Sequence, residues 1–448
     1  MNKFFLEHSI ADIAAQLDAG KLEPQDLTAA SLENIRELDE TYHAWVTYRT
    51  PAAPRSSGGS SQPSAERPLL PGIPVGIKDI FNTVDFPTQM GSHLWKDFTP
   101  GNDARAVFNL KRQGAAVVGK TVTAEFAVHA LNETLNPHDS TRTPGTSSSG
   151  SAVAIALGMV PLATGTQTAG SIVRPASFCG VYGCKPSFGF VPRTGTLKTT
   201  DSLDTIGFFV AHEEDLKRSF DALRVSGKDY PISDAAINDV SRQHKPENRP
   251  WRVAFTRTHT WEHAPPYARD SLEQCISKLS NQKGIEIIDG ELPELMRRAH
   301  EVHAIIYNKS LSYYFKGEHT QSDFVSPIMN ELIASGAATS VEQFREAIDT
   351  QNSIIRGMDA FFGGIDVLVS LSTAGEAPAR DVAELPDPAL MWTLAHLPVV
   401  SVPQFKSPNG LPFGMQVAAR KYNDYLLFEF LDHLRSLAMI PAASGYFV

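Results

Sequence analysis

The fold of this chain is decided by residues 144–175, which read PGTSSSGSAVAIALGMVPLATGTQTAGSIVRP. Runs of Gly and Ser are often only linkers. This run, however, leads directly into the apolar segment Ala152–Leu157, whose small residues predict a deeply packed helix. Helical patterns and short β-branched runs alternate around it, with strands expected at Ile73–Asp79, Ala115–Val118, Asp366–Ser370 and Val399–Val402. This alternation predicts an α/β fold with a largely buried sheet.

The rest of the chain divides into segments of different composition. A helix is expected to begin at Ser9 and a second one to run from Pro24 to Leu38. Residues 50–71 are rich in Pro, Ser and Gly, which predicts a flexible loop. The complete division is an N-terminal helical arm at 1–49, this loop at 50–71, a core at 72–210, a linker-like stretch at 226–250, a variable helical region at 251–362 and a return to the core at 363–448.

Composition and charge exclude several classes of protein. The 448 residues contain 40 Lys and Arg against 50 Asp and Glu, and the net charge of 40 − 50 = −10 argues against a nucleic-acid or anionic-membrane binder. The longest apolar stretch, residues 151–163, is shorter than the roughly 18 residues of a membrane span. Three cysteines without zinc-ligand spacing predict a cytoplasmic protein with no metal site, and we expect no cofactor.

Two short motifs suggest chemistry that their context contradicts. Residues 114–121 read GAAVVGKT and match the P-loop pattern of nucleotide-binding proteins. A P-loop needs a strand before its first glycine, whereas the residues before Gly114 have a helical pattern; Gly114 is expected to end that helix in the left-handed conformation. Gly145-Thr-Ser is similar to the serine segment of subtilisin-like proteases, but none of the 14 histidines is followed by the Gly of that family's histidine segment.

The most specific signal needs three segments to be read together, namely GIPVGIKD at 72–79, PGTSSSGS at 144–151 and GTQTAGSIVRP at 165–175. This set resembles the amidase signature family. The resemblance extends over Ile73–Phe209 and to a late return strand within residues 394–403. It implies the family's fold, a central twisted mixed β-sheet flanked by helices on both faces. Because segments that share one site lie far apart, it also implies a single amidase domain over residues 1–448.

The resemblance places a Ser-Ser-Lys catalytic triad on this sequence, with Ser171 as nucleophile, Ser147 as relay and Lys78 as base. A serine hydroxyl is a weak nucleophile until a neighbour takes its proton, and lysine can take one only when it is neutral. The pKa of Lys78 must therefore fall from about 10.4, as burial among apolar neighbours would achieve. The alternatives remain that both serines cap helices and that Lys78 reaches the surface.

Further site residues follow from the same resemblance. Family members carry the relay serine after a cis peptide bond, which here would join Thr146 to Ser147. The oxyanion hole would consist of the backbone N–H groups of Thr168, Ala169, Gly170 and Ser171, with Ala169 where most relatives carry glycine. We also expect Thr166 and Ser148 to contact the substrate.

Arg174 is the best indication of substrate specificity. It lies three residues after Ser171, as in malonamidase-like members, where the arginine resembles a clamp for a substrate carboxylate. The predicted substrate is therefore a small amide that carries a carboxylate, and hydrolysis would pass through an acyl-enzyme and release ammonia or an amine. The alternative is that Arg174 pairs with a carboxylate of the protein, since buried charges need partners.

Two other functions stay open from the sequence. One is a glutamine amidotransferase A-type subunit that works with a partner, and the other is a homologue without catalytic activity. No nucleic acid or membrane is expected as a partner. The resemblance and the apolar stripes of the N-terminal helices predict a homodimer. The region 251–362, in which family members select their substrates, contains no motif that identifies one, and the histidines, His303 included, show no pattern of partners.

Overall fold

The computed structural model describes residues 3–50, 67–227, 230, 231, 236 and 243–444. Most of the predicted loop at 50–71 and part of the linker-like stretch at 226–250 lie outside the described residues. Within the described ranges, no helix combines the length and the apolar character that a membrane crossing requires.

The centre of the fold is one sheet, in which the described residues contribute eleven strands in the order β1-β3-β2-β4-β6-β5-β10-β11-β9-β7-β8. The strands are β1 (Trp45–Tyr48), β2 (Pro74–Lys78), β3 (Ala116–Thr121), β4 (Leu162–Gln167), β5 (Tyr182–Lys185), β6 (Thr205–Val210), β7 (Trp251–Phe255), β8 (Ile285–Asp289), β9 (Val367–Leu371), β10 (Val399–Lys406) and β11 (Pro412–Ala419). Strand β2 is parallel to β3 and β4, and β7 is parallel to β8 and β9. The other pairs are antiparallel, so the sheet is mixed, as predicted.

Helices complete the α/β fold. They are α1 (Phe4–Glu7), α2 (Ile10–Asp18), α3 (Pro24–Tyr42), α4 (Arg105–Arg112), α5 (Ser149–Ala156), α6 (Val173–Cys179), α7 (Asp215–Leu223), α8 (Pro266–Ser280), α9 (Ala299–Tyr314), α10 (Lys316–His319), α11 (Pro327–Ala338), α12 (Val341–Phe361), α13 (Ala389–Leu394) and α14 (Asp424–Ser436). Short 3₁₀ turns cover His93–Trp95, Glu125–Ala127, Trp261–His263, Glu294–Arg298 and Ser322–Phe324.

The sheet has an apolar core on each face. Successive side chains of a strand point to opposite faces, and neighbours such as Phe208 and Phe209, or Leu162 and Ala163, belong to two different buried clusters. Helices α4, α7 and α8 contribute to the larger cluster, whereas α5 lies almost entirely in the smaller one. Helices therefore cover both faces, and the predicted fold class is confirmed.

The two edge strands of the sheet lie in segments that were predicted to be helical. The helical arm expected over residues 1–49 ends in β1, and the helical region expected over 251–362 contains β8. Only the first residue of β8 is buried, and its side chains include Glu286 and Asp289. Edge strands are often short and charged, which discourages pairing with other chains, and the same features weaken the apolar pattern that would reveal them.

The N-terminal helices pack against the body of the chain. The apolar stripe that suggested a dimer interface, at Ile10, Ile13, Leu27 and Ile35, is buried within the chain. Part of this contact is polar, because the carboxylate of Asp215 accepts a hydrogen bond from Ile10 N at 2.9 Å. The stripe therefore gives no support to the predicted homodimer, which rests on the family resemblance alone.

The segment that matches a P-loop is part of the sheet. Gly114 has a φ of +90° and follows helix α4, as expected, and the Gly-Lys-Thr end of the motif lies inside β3. The ammonium of Lys120 is buried 2.9 Å from the carboxylate of Asp79 and also bonds to Thr88 Oγ1. With its lysine used inside the protein, this segment offers no cradle for a phosphate.

The register of the sheet brings two distant segments of the chain together. Strands β2 and β4 are parallel neighbours, so their carboxyl ends lie at the same edge of the sheet. Lys78 is the last residue of β2, and Gln167 is the last residue of β4. The turns that follow these strands, together with the segment before α5, form the candidate site.

Candidate active site

The side chain of Lys78 lies among three buried hydroxyl groups. Its Nζ is 2.8 Å from Ser147 Oγ, 2.9 Å from Ser148 Oγ and 2.8 Å from Thr166 Oγ1. Burial lowers the pKa of Lys78 well below its usual 10.5, although the charge of Asp204 opposes the shift. A neutral amine has two N–H groups and one lone pair, so it can donate to two of these hydroxyls and accept from the third. The environment therefore favours the form of lysine that can take a proton.

Ser147 follows a cis peptide bond, and its hydroxyl points to Lys78. The bond between Thr146 and Ser147 is cis, as predicted. Helix α5 begins at Ser149, and its N-cap residue Ser148 makes no side-chain capping bond. The alternative of a row of capping serines is therefore not realised at this helix end.

The placement of Ser148 and Thr166 differs from the expected contact with substrate. Both hydroxyls lie against Lys78 Nζ, and neither residue lines the adjacent cavity. Their position fits residues that hold the amine of Lys78 and help to set its direction.

Ser171 lies in the turn between β4 and α6. The helix has Ile172 as its N-cap, without a side-chain capping bond, so Ser171 does not cap it. Among the described residues, no acceptor receives a hydrogen bond from the backbone N–H groups of Ala169, Gly170 and Ser171. Three adjacent N–H groups without a protein acceptor can stabilise a negatively charged oxygen.

The turn that contains Ser171 is held by two side chains that the sequence analysis did not identify. Gln167 Oε1 accepts hydrogen bonds from Ile172 N at 2.8 Å and from Val173 N at 2.9 Å. Gln167 Nε2 donates to Thr393 Oγ1 at 3.0 Å, and this hydroxyl donates to the carbonyl of Ala169 at 2.7 Å. The bonds satisfy backbone groups on both sides of Ser171 and fix the direction of the N–H groups between them.

Thr168 is held in a similar way by His303 and Asp204. The ring Nε2 of His303, on α9, lies 2.9 Å from the carbonyl oxygen of Thr168, and Thr168 Oγ1 donates to Asp204 Oδ1 at 2.9 Å. Burial lowers the pKa of His303 to about 4. The ring is therefore neutral at pH 7, and its Nε2–H donates to the carbonyl.

Arg174 is buried against two carboxylates from the segment before α13. Its Nε lies 2.9 Å from Asp387 Oδ2 and 2.9 Å from Glu384 Oε2. Burial alone would lower the pKa of Arg174, but the two acids reverse this and raise it. Its Nη1 is buried without a hydrogen-bond partner among the described residues. The pairing within the protein is thus present, while Arg174 also lines the adjacent cavity and keeps one nitrogen without an acceptor among the described residues.

A cavity of about 640 Å³ opens beside these groups. This volume is within the range of small-molecule sites, about 300–1,000 Å³. Thr146, Ala169, Arg174 and His303 line its inner end, and residues of α9, α11 and the segment 380–390 complete the wall. In the described part of the chain, no group of three or more His, Cys, Asp or Glu side chains is arranged to hold a metal ion.

Comparison with known proteins identifies the family. The family described as Amidase matches residues 26–428. The chain belongs to the amidase signature family. It is accordingly an amide-cleaving enzyme by family, and its fold agrees with that of its relatives.

Curated relatives of this amidase include components of amidotransferases. The A-type subunit of glutamyl-tRNA(Gln) amidotransferase from Rhodopirellula baltica is 30% identical over 92% of this chain and 93% of its own length. Its counterpart in a Cyanothece species is 29% identical over 94% of this chain and 96% of its own length. Neither comparison supports a special closeness to malonamidase-like members, which stays a prediction.

Solved structures of other members have the same fold. The peptide amidase of Stenotrophomonas maltophilia is 25% identical with a TM-score of 0.81, and the match covers 100% of both chains. The A-type subunit of glutamyl-tRNA(Gln) amidotransferase from Thermotoga maritima is 25% identical with a TM-score of 0.79, and the match covers 99% of both chains. The same fold thus occurs in an amidase and in a component of an amidotransferase.

Proposed function

We propose that this amidase hydrolyses the C–N bond of a small amide that carries a carboxylate, with Ser171 as nucleophile, Ser147 as relay and Lys78 as base. The observation that carries the proposal is the 2.8 Å contact between Lys78 Nζ and Ser147 Oγ in a fully buried site. A lowered pKa favours the neutral amine, which is the form that can accept a proton from the relay serine.

In the first half of the reaction, Lys78 takes the proton of Ser147, and Ser147 takes the proton of Ser171. The Oγ of Ser171 forms a bond to the amide carbon, and the carbonyl electrons move to its oxygen. The N–H groups of residues 168–171 would stabilise this oxyanion, and the lack of an acceptor for those of 169–171 among the described residues supports the assignment. When the C–N bond breaks, the proton returns through Ser147 to the leaving nitrogen.

The second half of the reaction releases the acid. Water attacks the acyl-enzyme ester and gives its proton to Ser147 and Lys78, and the bond to Ser171 Oγ then breaks as that oxygen regains a proton. The products are a carboxylic acid, regenerated enzyme and the ammonia or amine that left earlier. Each oxyanion-hole donor contributes about 2.7–4 kcal/mol of transition-state stabilisation in comparable enzymes.

The proposal of a carboxylate-bearing substrate depends on Arg174. The contacts of Asp387 and Glu384 at 2.9 Å are both with its Nε, and its Nη1 has no hydrogen-bond partner among the described residues. A carboxylate that approached from the cavity would find the outer edge of a fixed guanidinium, which suits a planar anion. The two protein acids would hold the arginine in place, although they also reduce its net attraction for an anion.

A serine-directed fluorophosphonate probe tests the mechanism. We expect the probe to label Ser171, as mapped by peptide mass spectrometry, and Ser171→Ala to remove the label. Ser149→Ala is a matched control, because Ser149 Oγ already accepts a hydrogen bond from Asn132 at 2.8 Å. A screen for ammonia release from amides would follow. If folded protein were not labelled at Ser171, a homologue without catalytic activity would be the better description.

A second candidate function is that of an amidotransferase A-type subunit, supported by curated relatives that match nearly the full chain. Such a subunit would release ammonia from glutamine for a partner protein. We expect instead that the purified chain releases ammonia from an amide without a second protein, and that adding one does not raise the rate. Glutaminase activity that requires a co-purified second protein would favour the amidotransferase.

The homodimer and the cytoplasmic location remain predictions. Light scattering of the purified protein tests the homodimer.

A further inference from the structure

The outer end of the cavity has an unusual apolar surface. Four large apolar side chains line it while being exposed to solvent, and we call them the apolar rim: Leu131, Ile328, Val382 and Leu385. The described residues include eleven exposed large apolar side chains in all. A third of them thus gather around one opening, whereas single exposed apolar residues are ordinarily scattered over a surface.

The apolar rim is built by three separate parts of the chain. Leu131 follows the 3₁₀ turn Glu125–Ala127, Ile328 lies in the first turn of α11, and Val382 and Leu385 belong to the segment between β9 and α13. The less exposed Leu332 and Leu390 line the same cavity. Convergence of apolar side chains from distant segments on one cavity is typical of a ligand site.

The cavity that the rim lines extends to residues beside the proposed reaction centre, because Thr146 precedes Ser147 and Ala169 lies in the turn of Ser171. Its inner end is formed by Thr146, Ala169 and Arg174, next to the turn that holds Ser171. A ligand whose carbonyl lies at this inner end can therefore extend to the rim. A small polar amide alone would leave the rim in contact with water.

We infer that the substrate carries an apolar group, an alkyl chain or an aromatic ring, that lies against the apolar rim when the amide carbon is at Ser171. This inference rests on the proposed function and adds a second specificity element to it. The carboxylate is recognised at the inner end of the cavity and the apolar group at the outer end. We therefore expect kcat/KM to increase with the length of the apolar group.

The experiment uses malonic acid monoamides that carry a methyl, butyl or octyl chain on the central carbon. We expect kcat/KM of the wild-type enzyme to rise with chain length by about 2- to 4-fold for each methylene, the upper value corresponding to full burial. Calorimetry with the Ser171→Ala variant measures the dissociation constant of each amide without turnover, and the same dependence on length is expected.

The double variant Val382→Ser, Leu385→Ser tests the location of the apolar group. We expect it to flatten the dependence on chain length, so that the loss of kcat/KM relative to wild type is largest for the octyl compound and smallest for the methyl compound. The matched control is Leu295→Ser, Val341→Ser, which replaces exposed residues that do not line the cavity. The control should keep the wild-type dependence.

Three results would overturn the inference. One is a flat dependence on chain length in both hydrolysis and binding, and another is a rising dependence that the rim variant leaves unchanged. A flat dependence together with loss of a bound protein partner in the rim variant would assign the surface to protein docking. If no amide were hydrolysed but binding to Ser171→Ala still rose with chain length, the apolar subsite would stand and the proposed hydrolysis would fail.

Discussion

Lys78 Nζ lies 2.8 Å from Ser147 Oγ, and both side chains are buried. The contacts of this amine are hydroxyl groups, and the acid whose charge acts on it, Asp204, bonds instead to Thr168, Thr199 and Thr200. A carboxylate in direct contact would stabilise the ammonium form. The fold thus surrounds Lys78 with groups that can exchange protons with it but do not hold it charged.

Replacement of Lys78 by methionine is expected to lower kcat by at least about 100-fold, since general-base catalysis typically contributes 10²–10⁴-fold. Methionine has a similar length and no charge, so the buried position remains filled. Lys78→Arg should be equally inactive because a guanidinium does not lose its proton at neutral pH. Steady-state kinetics and circular dichroism measure activity and folding together. Folded Lys78→Met protein with more than a tenth of wild-type kcat would exclude the proposed base.

The pH dependence of activity should report the protonation of Lys78. The lowered pKa means that the amine becomes neutral below its usual 10.5, so kcat/KM is lost as pH falls through the folded-state value. Lys185 is also buried, with a pKa lowered to about 7, but its Nζ bonds to the carbonyls of Pro186 and Leu397. Lys185→Met should therefore leave the pH profile of kcat/KM unchanged. A shifted profile in Lys185→Met would show that the pH dependence of kcat/KM reports Lys185 and not Lys78.

The free energy of unfolding should also rise with pH, as kcat/KM is expected to do. Between a folded pKa of about 7 and the unfolded value of 10.5, Lys185 binds a proton only in the unfolded chain, so the free energy of unfolding rises with pH over this interval. In Lys185→Met this contribution disappears, and the rise should be smaller. Denaturant unfolding at several pH values measures it, with exposed Lys217 as a control position.

His303 is predicted to act as a positioning residue for the proposed oxyanion hole. Its Nε2–H donates to the carbonyl of Thr168, so His303→Phe removes the donor but keeps an aromatic ring next to Tyr307. We expect kcat to fall about 10-fold with little change in KM, since a hydrogen bond of about 1–1.5 kcal/mol is lost next to the reacting group. His303→Gln should recover part of the rate. If His303→Phe and the wild type had equal melting temperatures and equal kcat, His303 would only line the cavity and would not position Thr168.

The sequence could predict those residues of the candidate site that belong to short, ordered motifs. Lys78, Ser147, Ser171 and the cis bond at Thr146 all lie within such segments. Gln167 lies in the same motif, but its bonds to the turn could not be predicted because they depend on how the chain returns after β4.

Contacts between segments that are distant in the sequence could not be predicted from local sequence patterns. His303 meets Thr168 across 135 positions, and Arg174 meets Asp387 across 213. No local pattern distinguishes these residues from other histidines and acids of the surface. The stretch from Ser140 to Thr200 contains no Asp or Glu, yet the folded chain supplies acids to it from outside, including Asp204, Glu384 and Asp387. The five Lys and Arg residues of this stretch are therefore largely compensated by acids from elsewhere in the chain.

Arg174 could bind a substrate carboxylate or only pair with Asp387 and Glu384. The two roles can be separated, because only the first makes the effect of a substitution depend on whether the substrate carries a carboxylate. Arg174→Lys keeps the charge beside Asp387 and Glu384 but loses the planar fork. If the arginine binds a carboxylate, kcat/KM for a malonic acid monoamide should fall at least about 10-fold, as loss of a charge-assisted hydrogen bond of about 1.5–3 kcal/mol predicts, while that for acetamide changes much less. Arg380→Lys is the matched control, since Arg380 lines the same cavity but donates to the carbonyls of Asn132 and Thr134. Equal losses on both amides would assign Arg174 to the internal ion pair alone. Arg174→Ala is less informative, because it would leave the buried Asp387 and the partly buried Glu384 without this partner. Breaking a buried ion pair costs about 3–5 kcal/mol of stability, which would confuse unfolding with lost recognition.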